Sequence, residues 1–133
     1  LRLEGGVTDE LTVWHDPCYL ARQNHIVEAP REVLGALRPN KTFPQEAGEK
    51  TFCCGAGGGQ MWTDQQNGKK RVNVIRLEAL RETGAKSVAT ACPHCLTMLE
   101  SARAVSGKDA EDVRIADIAE IVAGAIPDEA KSA

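Results

Sequence analysis

The chain has 133 residues, 42% hydrophobic and 26% charged, with a formal net charge of -3, the size and balance of one ordinary globular domain able to enclose its own core. No apolar run approaches the roughly 20 residues of a membrane-spanning helix, and a slightly acidic chain without an extended basic block carries no electrostatic footprint for nucleic acid or anionic lipid. Five cysteines, an odd number with two adjacent, cannot all pair within the chain, which argues against a secreted disulfide scaffold and for a metal in a reducing compartment.

In chain order, nothing at the start resembles a signal peptide, and a chain opening on Leu1 is expected to be a segment of a longer protein. Leu11 to His15 reads as a buried strand stopped by Asp16-Pro17, with Cys18 at the stop. Pro30 is placed as a first helical residue, and Val33, Leu34 and Leu37 follow at helical spacing until Pro39-Asn40. A second strand is expected over Lys41 to Phe43. Cys53-Cys54-Gly55-Ala56-Gly57-Gly58-Gly59 then holds four glycines in five residues and predicts an irregular, tightly bent loop. From about Asn67 to Thr83, Val72, Ile75 and Ala79 mark a helix that Gly84 ends.

Ser87 to Ala91 predicts a buried strand, and Cys92-Pro93-His94-Cys95 opens the next helix, with Cys95, Met98, Leu99 and Ala102 on one face. A last strand is expected at Val113 to Ile115, followed by a helix capped by Asp117 with Ile118, Ile121, Val122 and Ala125 as its apolar stripe. This alternation predicts an α/β fold of Rossmann-like type, a small mostly parallel sheet flanked by helices. Sites in such sheets form at the carboxyl ends of the strands. Every cysteine falls at a predicted strand or loop end.

A CxxC at a helix start presents two sulfurs on one side, so Cys92 and Cys95 supply one pair of metal ligands. Adjacent cysteines in a strand point to opposite faces. Cys53 and Cys54 therefore serve one site only if the backbone curls, which the glycines permit while freeing N–H groups to face an anionic cofactor atom.

The full spacing is Cys18, 34 residues, Cys53-Cys54-Gly55, 36 residues, then Cys92-x-x-Cys95. Together with His15-Asp16-Pro17-Cys18-Tyr19-Leu20, it resembles the CCG, or cysteine-rich, domain of heterodisulfide reductase and related iron-sulfur oxidoreductases, over residues 11 to 126. Residues 1 to 10 and 127 to 133 are then flanking tails. The resemblance implies a non-cubane 4Fe-4S cluster ligated by Cys18, Cys53, Cys54, Cys92 and Cys95, with Gly55, Gly57, Gly58 and His15 around it. It further implies an electron-transfer module of a larger oxidoreductase, relaying electrons between a flavin or disulfide partner and a quinone chain. Other domains of the parent protein, and electron-transfer flavoprotein or another flavoprotein, would be its partners. The expected location is cytoplasmic, at a membrane face reached through parts of the parent outside this chain, and the fragment alone is not expected to turn over substrate.

Two other readings stand beside the cluster. A structural zinc would use four of the five thiolates in an interaction domain, and a metal-free Cys92–Cys95 pair would do thiol–disulfide chemistry. The ring of His15 is expected to donate to a carbonyl or carboxylate, with His94 exposed and His25 on the surface. Arg22 either neutralises a thiolate-rich site or is a solvated loop residue. Gly57-Gly58-Gly59 lacks the Lys-Ser/Thr ending of a phosphate-binding loop. Met61 and Trp62 are expected as core residues covering the site, and Lys69-Lys70-Arg71 as a solvated helix face.

Overall fold

The computed structural model describes residues 7–63 and 68–127. Four short strands, β1 (Thr12–His15), β2 (Lys41–Thr42), β3 (Ser87–Thr90) and β4 (Arg114–Asp117), form one parallel sheet in the order β2-β1-β3-β4. Parallel neighbours need crossovers, and helices supply them: α1 (Glu28–Leu37) between β1 and β2, α2 (Val72–Arg81) between β2 and β3, and α3 (Pro93–Ser106) between β3 and β4, while α4 (Ile118–Ala125) follows β4. The fold is the expected α/β arrangement. Successive residues of the two central strands serve opposite faces. Val13 and Val88 pack with Leu77, Leu80, Leu99 and Ala102 of α2 and α3. Trp14 and Ala89 pack with Leu34, Leu37, Ile121 and Ala125 of α1 and α4. With both faces covered, β1 is buried at every position.

Local signals account for most helix ends. Pro93 is the first residue of α3, after an extended Cys92, and Cys95, Met98, Leu99 and Ala102 form the buried face that their spacing predicts. Asp117 accepts from the amide of Ala119 while the Glu120 carboxylate takes the amide of Asp117, a complete capping box for α4. Gly84, with φ of +83°, follows α2 in the left-handed conformation favoured there. Helix α1 starts two residues earlier than expected, so Pro30 is its third residue, where the missing N–H has no intrahelical acceptor to lose.

Helix α2 corrects the sequence reading. Residues 68 to 71 are not helical, Asn67 lies outside the described residues, and Val72 and Ile75 are 42% and 40% exposed. The buried face is Asn73, Arg76, Leu77 and Leu80. These four also recur at i, i+3, i+4 and i+7, but two are polar, so a count of apolar spacings favours the wrong stripe. The helix turns this way because the two leucines enter the core while Asn73 donates to the carbonyl of Met98 in α3 and Arg76 bonds His15 of β1 and the loop residues Glu46 and Thr51.

Candidate metal centre

The parallel sheet sets His15, the last residue of β1, beside Thr90, the last of β3, and the cysteine-bearing loops leave from these ends. Cys18 follows Asp16-Pro17 and begins a π-type turn over Tyr19–Gln23. Asp16, 1% exposed, anchors this loop. Its Oδ1 accepts from Trp14 Nε1 at 2.7 Å and Arg31 Nε at 3.1 Å, and its Oδ2 accepts from Arg31 Nη2 and the amide of Gly48, both at 2.7 Å. Burial pushes the Asp16 carboxyl up, but the bonds from Arg31, Gly48 and Trp14 hold it below the usual carboxylate range. The carbonyl of Asp16 accepts from Thr51 Oγ1 at 2.9 Å. The segment leading into Cys53 is thereby tied to the loop carrying Cys18. Arg22 strengthens the tie by donating to the carbonyls of Glu49, at 3.2 Å, and Thr51.

The Cys53-Cys54 loop curls as its glycines allow. Gly55 has φ of +91°, and a Cβ there would lie 3.1 Å from the backbone nitrogen of Asn73 at the start of α2 and 3.3 Å from Val72 Cβ. Its amide donates to Cys53 Sγ at 3.3 Å, so backbone N–H groups do face sulfur here. Short 3₁₀ turns over Gly57–Trp62 are broken at Gly58 and Gly59, with φ of +65° and +76°. Gly57 differs from them, having no left-handed φ and nothing within 4 Å of an added Cβ. Gly57→Ala is therefore expected to change stability by no more than about 0.5 kcal/mol in urea unfolding.

All five cysteines are free thiols and line one cavity of about 300 Å³. Cys54 and Cys95 lie at its base, 3% and 2% exposed, while Cys18, Cys53 and Cys92 are half-buried. Gly57 lines the cavity, Gly58 lies outside its lining, and Gly55 backs the loop against α2. The two deep thiols are shifted in opposite directions. Hydrogen bonding from Cys95 holds Cys54 well below the ordinary thiol range, with further help from His15 and the amide of Ala56, and the same contact pushes Cys95 up. Burial also raises Cys18, reinforced by the charges of Cys53 and Cys54 and opposed by Arg22.

Met61 packs half-buried against the Cys54–Cys95–Met98 cluster, but Trp62 is 81% exposed, contrary to its expected place in the core. The glycine-rich turns before it carry its ring outward to the cavity mouth, where Tyr19 is 71% exposed. His94 also lines the mouth and is exposed, and His25 lies on the surface, 3.0 Å from Glu49. Among the basic run, Lys70 pairs with Glu78 at 2.6 Å and Arg71 donates to the carbonyl of Thr63 at 3.1 Å.

A ring nitrogen of His15 and the sulfurs of Cys54 and Cys95 lie within 4.8 Å of one another. Among the described residues the ring donates to no carbonyl or carboxylate. Its Nδ1 instead accepts from Arg76 Nε at 3.0 Å. Arg76 is fully buried, and its other contacts are the carbonyl of Glu46 at 3.3 Å and Thr51 Oγ1 at 3.4 Å. Sequence reading passed over Arg76; the only available signal was its place in the mixed polar–apolar stripe of α2.

The residues fit an anionic metal–thiolate group. Soft sulfur donors converge on one cavity. Behind them lies a buried guanidinium without a carboxylate partner among the described residues, a costly charge that an anionic neighbour would offset. The buried side-chain atoms lacking a partner among the described residues, His15 Nε2, Arg76 Nη1 and Thr90 Oγ1, belong to that same framework.

Fold and site together define a thiol-rich α/β domain built to hold a metal at the carboxyl ends of its strands. The chain belongs to the CCG cysteine-rich domain family, whose model matches residues 12–100. It is 44% identical over 95% of its length to a probable membrane-anchored ferredoxin of Chromohalobacter salexigens. It is 37% identical over 82% of its length to an EtfAB:quinone oxidoreductase of Syntrophomonas wolfei. It is also 35% identical over 85% of its length to one component of the dihydromethanophenazine:CoB–CoM heterodisulfide reductase of Methanosarcina barkeri. The chain spans 18%, 16% and 27% of the length of these three proteins, respectively. No solved structure matches it significantly. Among the described residues no helix is long and apolar enough to cross a membrane.

Proposed function

We propose that this chain is an electron-transfer module that binds an iron-sulfur cluster, of the non-cubane 4Fe-4S type, through Cys18, Cys53, Cys54, Cys92 and Cys95. The observation that carries this reading is the gathering of all five sulfurs around one cavity. Bound there, such a cluster supplies reversible electron storage at a potential tuned by hydrogen bonds to its sulfurs and by exposure. The chain's own residues do the rest. Asp16, Arg31 and Thr51 hold the Cys18 and Cys53 loops together, and the amides of Gly55 and Ala56 stabilise the Cys53 and Cys54 sulfurs. Met61 and Met98 shield the deep pair from water.

The domain, residues 11–126, would work inside a longer oxidoreductase. It would relay electrons between a flavin or disulfide partner and a quinone chain, at a cytoplasmic membrane face reached through other parts of the parent. The quinone and heterodisulfide in the names of two relatives support that electron relay, and exposed Tyr19 and Trp62 at the cavity mouth offer an apolar rim for a partner's redox group. Gly57 would contribute at the cavity wall, and Gly58 by shaping the turn.

After anaerobic reconstitution, iron and acid-labile sulfide should each reach about four per chain and fall to background in Cys54→Ser and Cys95→Ser variants. The compact His15–Cys54–Cys95 group favours a second reading, a single structural zinc. One zinc per chain without sulfide would establish that reading instead.

A further inference from the structure

The buried pair Arg76 and His15 constrains chemistry at the sulfurs more tightly than burial alone. Arg76 Nε carries a hydrogen and has no lone pair to offer, since a guanidinium is a donor only. Its 3.0 Å contact with His15 Nδ1 therefore requires an unprotonated Nδ1. A neutral imidazole must then carry its hydrogen on Nε2, the ring nitrogen that Arg76 leaves free. An Nε2 that holds a hydrogen has no lone pair for a metal. A cationic ring would place a second N–H against Arg76, which the contact excludes.

Position agrees with this assignment. His15 is 1% exposed, and its Nε2 has no hydrogen-bond partner among the described residues. A ring nitrogen of His15 and the sulfurs of Cys54 and Cys95 lie within 4.8 Å of one another, and Nδ1 is already engaged by Arg76. Arg76 is itself held by the carbonyl of Glu46 and the hydroxyl of Thr51, so its Nε–H is fixed in direction. Thr51 also bonds the carbonyl of Asp16, which follows His15 in the chain. The guanidinium, the ring and the loop leading to Cys53 thus form one braced unit.

We propose that Arg76 is a positioning residue that holds His15 as the neutral Nε2–H tautomer, making the ring a hydrogen-bond donor to the Cys54–Cys95 sulfurs rather than a metal ligand. The inference rests on the cluster reading for its effect on redox potential, but not for the tautomer itself. A donor aimed at ligand sulfur stabilises the more negatively charged, reduced state and so raises the midpoint potential. Gln at position 15 can present an N–H in place of Nε2, whereas Phe cannot.

The test begins with ¹⁵N-histidine-labelled, metal-free, reduced chain, the His15 signals being assigned by their loss in His15→Gln. Long-range ¹H–¹⁵N spectra should show Nε2–H for His15 in the wild type and a shift toward the other tautomer in Arg76→Met. An Nδ1–H tautomer or a cationic ring in the wild type overturns the proposal, whatever the fate of the Arg76 variant. In reconstituted protein, His15→Gln should keep the wild-type metal content. Loss of metal from that folded variant would make His15 a ligand and overturn the proposal.

Redox titration should show His15→Phe and Arg76→Met lowering the ratio of reduced to oxidised cluster about tenfold at fixed potential, about 59 mV for one electron, with His15→Gln near wild type. Unchanged potentials in both variants would remove the donor role. Failure of the wild type to take up iron and sulfide would sink the cluster reading alone, leaving the tautomer and metal-content measurements to decide the role of Arg76.

Discussion

Asp16→Ala is expected to destabilise the metal-free, reduced chain by about 3–5 kcal/mol in urea unfolding, the cost of removing one partner of a buried ion pair. The carboxylate accepts four hydrogen bonds from three groups, and each of those donors would be stranded. Trp14 is wholly buried, so its Nε1–H could not turn to water, and the Gly48 amide would lose the contact that fixes the segment running into Cys53. Arg31, also stacked 4.3 Å over the Phe43 ring, would be left with only the exposed Glu28 carboxylate, at 3.8 Å, opposite its charge.

The pH dependence carries the same signature. The folded-state pKa of Asp16 is lowered, so its contribution is fully present above the unfolded carboxylate value of about 4 and is lost as pH falls through the depressed folded value. Stability of the Asp16→Asn variant should therefore vary less with pH across that acidic window than that of the wild type. A loss under 1 kcal/mol for Asp16→Ala would mean that the Cys18 loop is held by other contacts.

Gly55→Ala should cost nearly as much and also weaken metal binding at the site. The left-handed φ of +91° strains any side chain by about 1–3 kcal/mol, and the new methyl would press on Asn73 nitrogen at 3.1 Å and Val72 Cβ at 3.3 Å, adding about 1–3 kcal/mol of overpacking. Neither neighbour is the free end of a flexible side chain, because both belong to the first turn of α2. Relief must come from the Cys53-Cys54 backbone, which moves two of the five proposed ligands. Iron bound after reconstitution should fall severalfold in Gly55→Ala and stay at the wild-type level in Gly57→Ala. Equal iron in both variants would show that the tight curl at Gly55 is not needed to bring the sulfurs together.

These expectations separate what was legible in the amino-acid order from what was not. The strand–helix alternation, the buried face of α3, the Asp117 cap and the placing of cysteines at strand ends all rest on interactions within a few residues, or on spacings that a parallel sheet converts directly into position. The same kind of reasoning chose the wrong face of α2, because the stripe that enters the core contains Asn73 and Arg76 and is apolar only at Leu77 and Leu80. It also placed Trp62 inside, where the left-handed Gly58 and Gly59 turn the chain outward.

By itself, the sequence determined the α/β class, the cysteine spacing and the family they identify, since local periodicity and motif spacing survive without knowledge of distant partners. Tertiary structure alone decided that Arg76 meets His15 across 61 residues, that Asp16 reaches Gly48 across 32, and that Cys54 and Cys95 are buried together beside Met98. Such contacts depend on which polar side chains are driven inward together when the leucines around them are buried. No spacing along the chain encodes that choice.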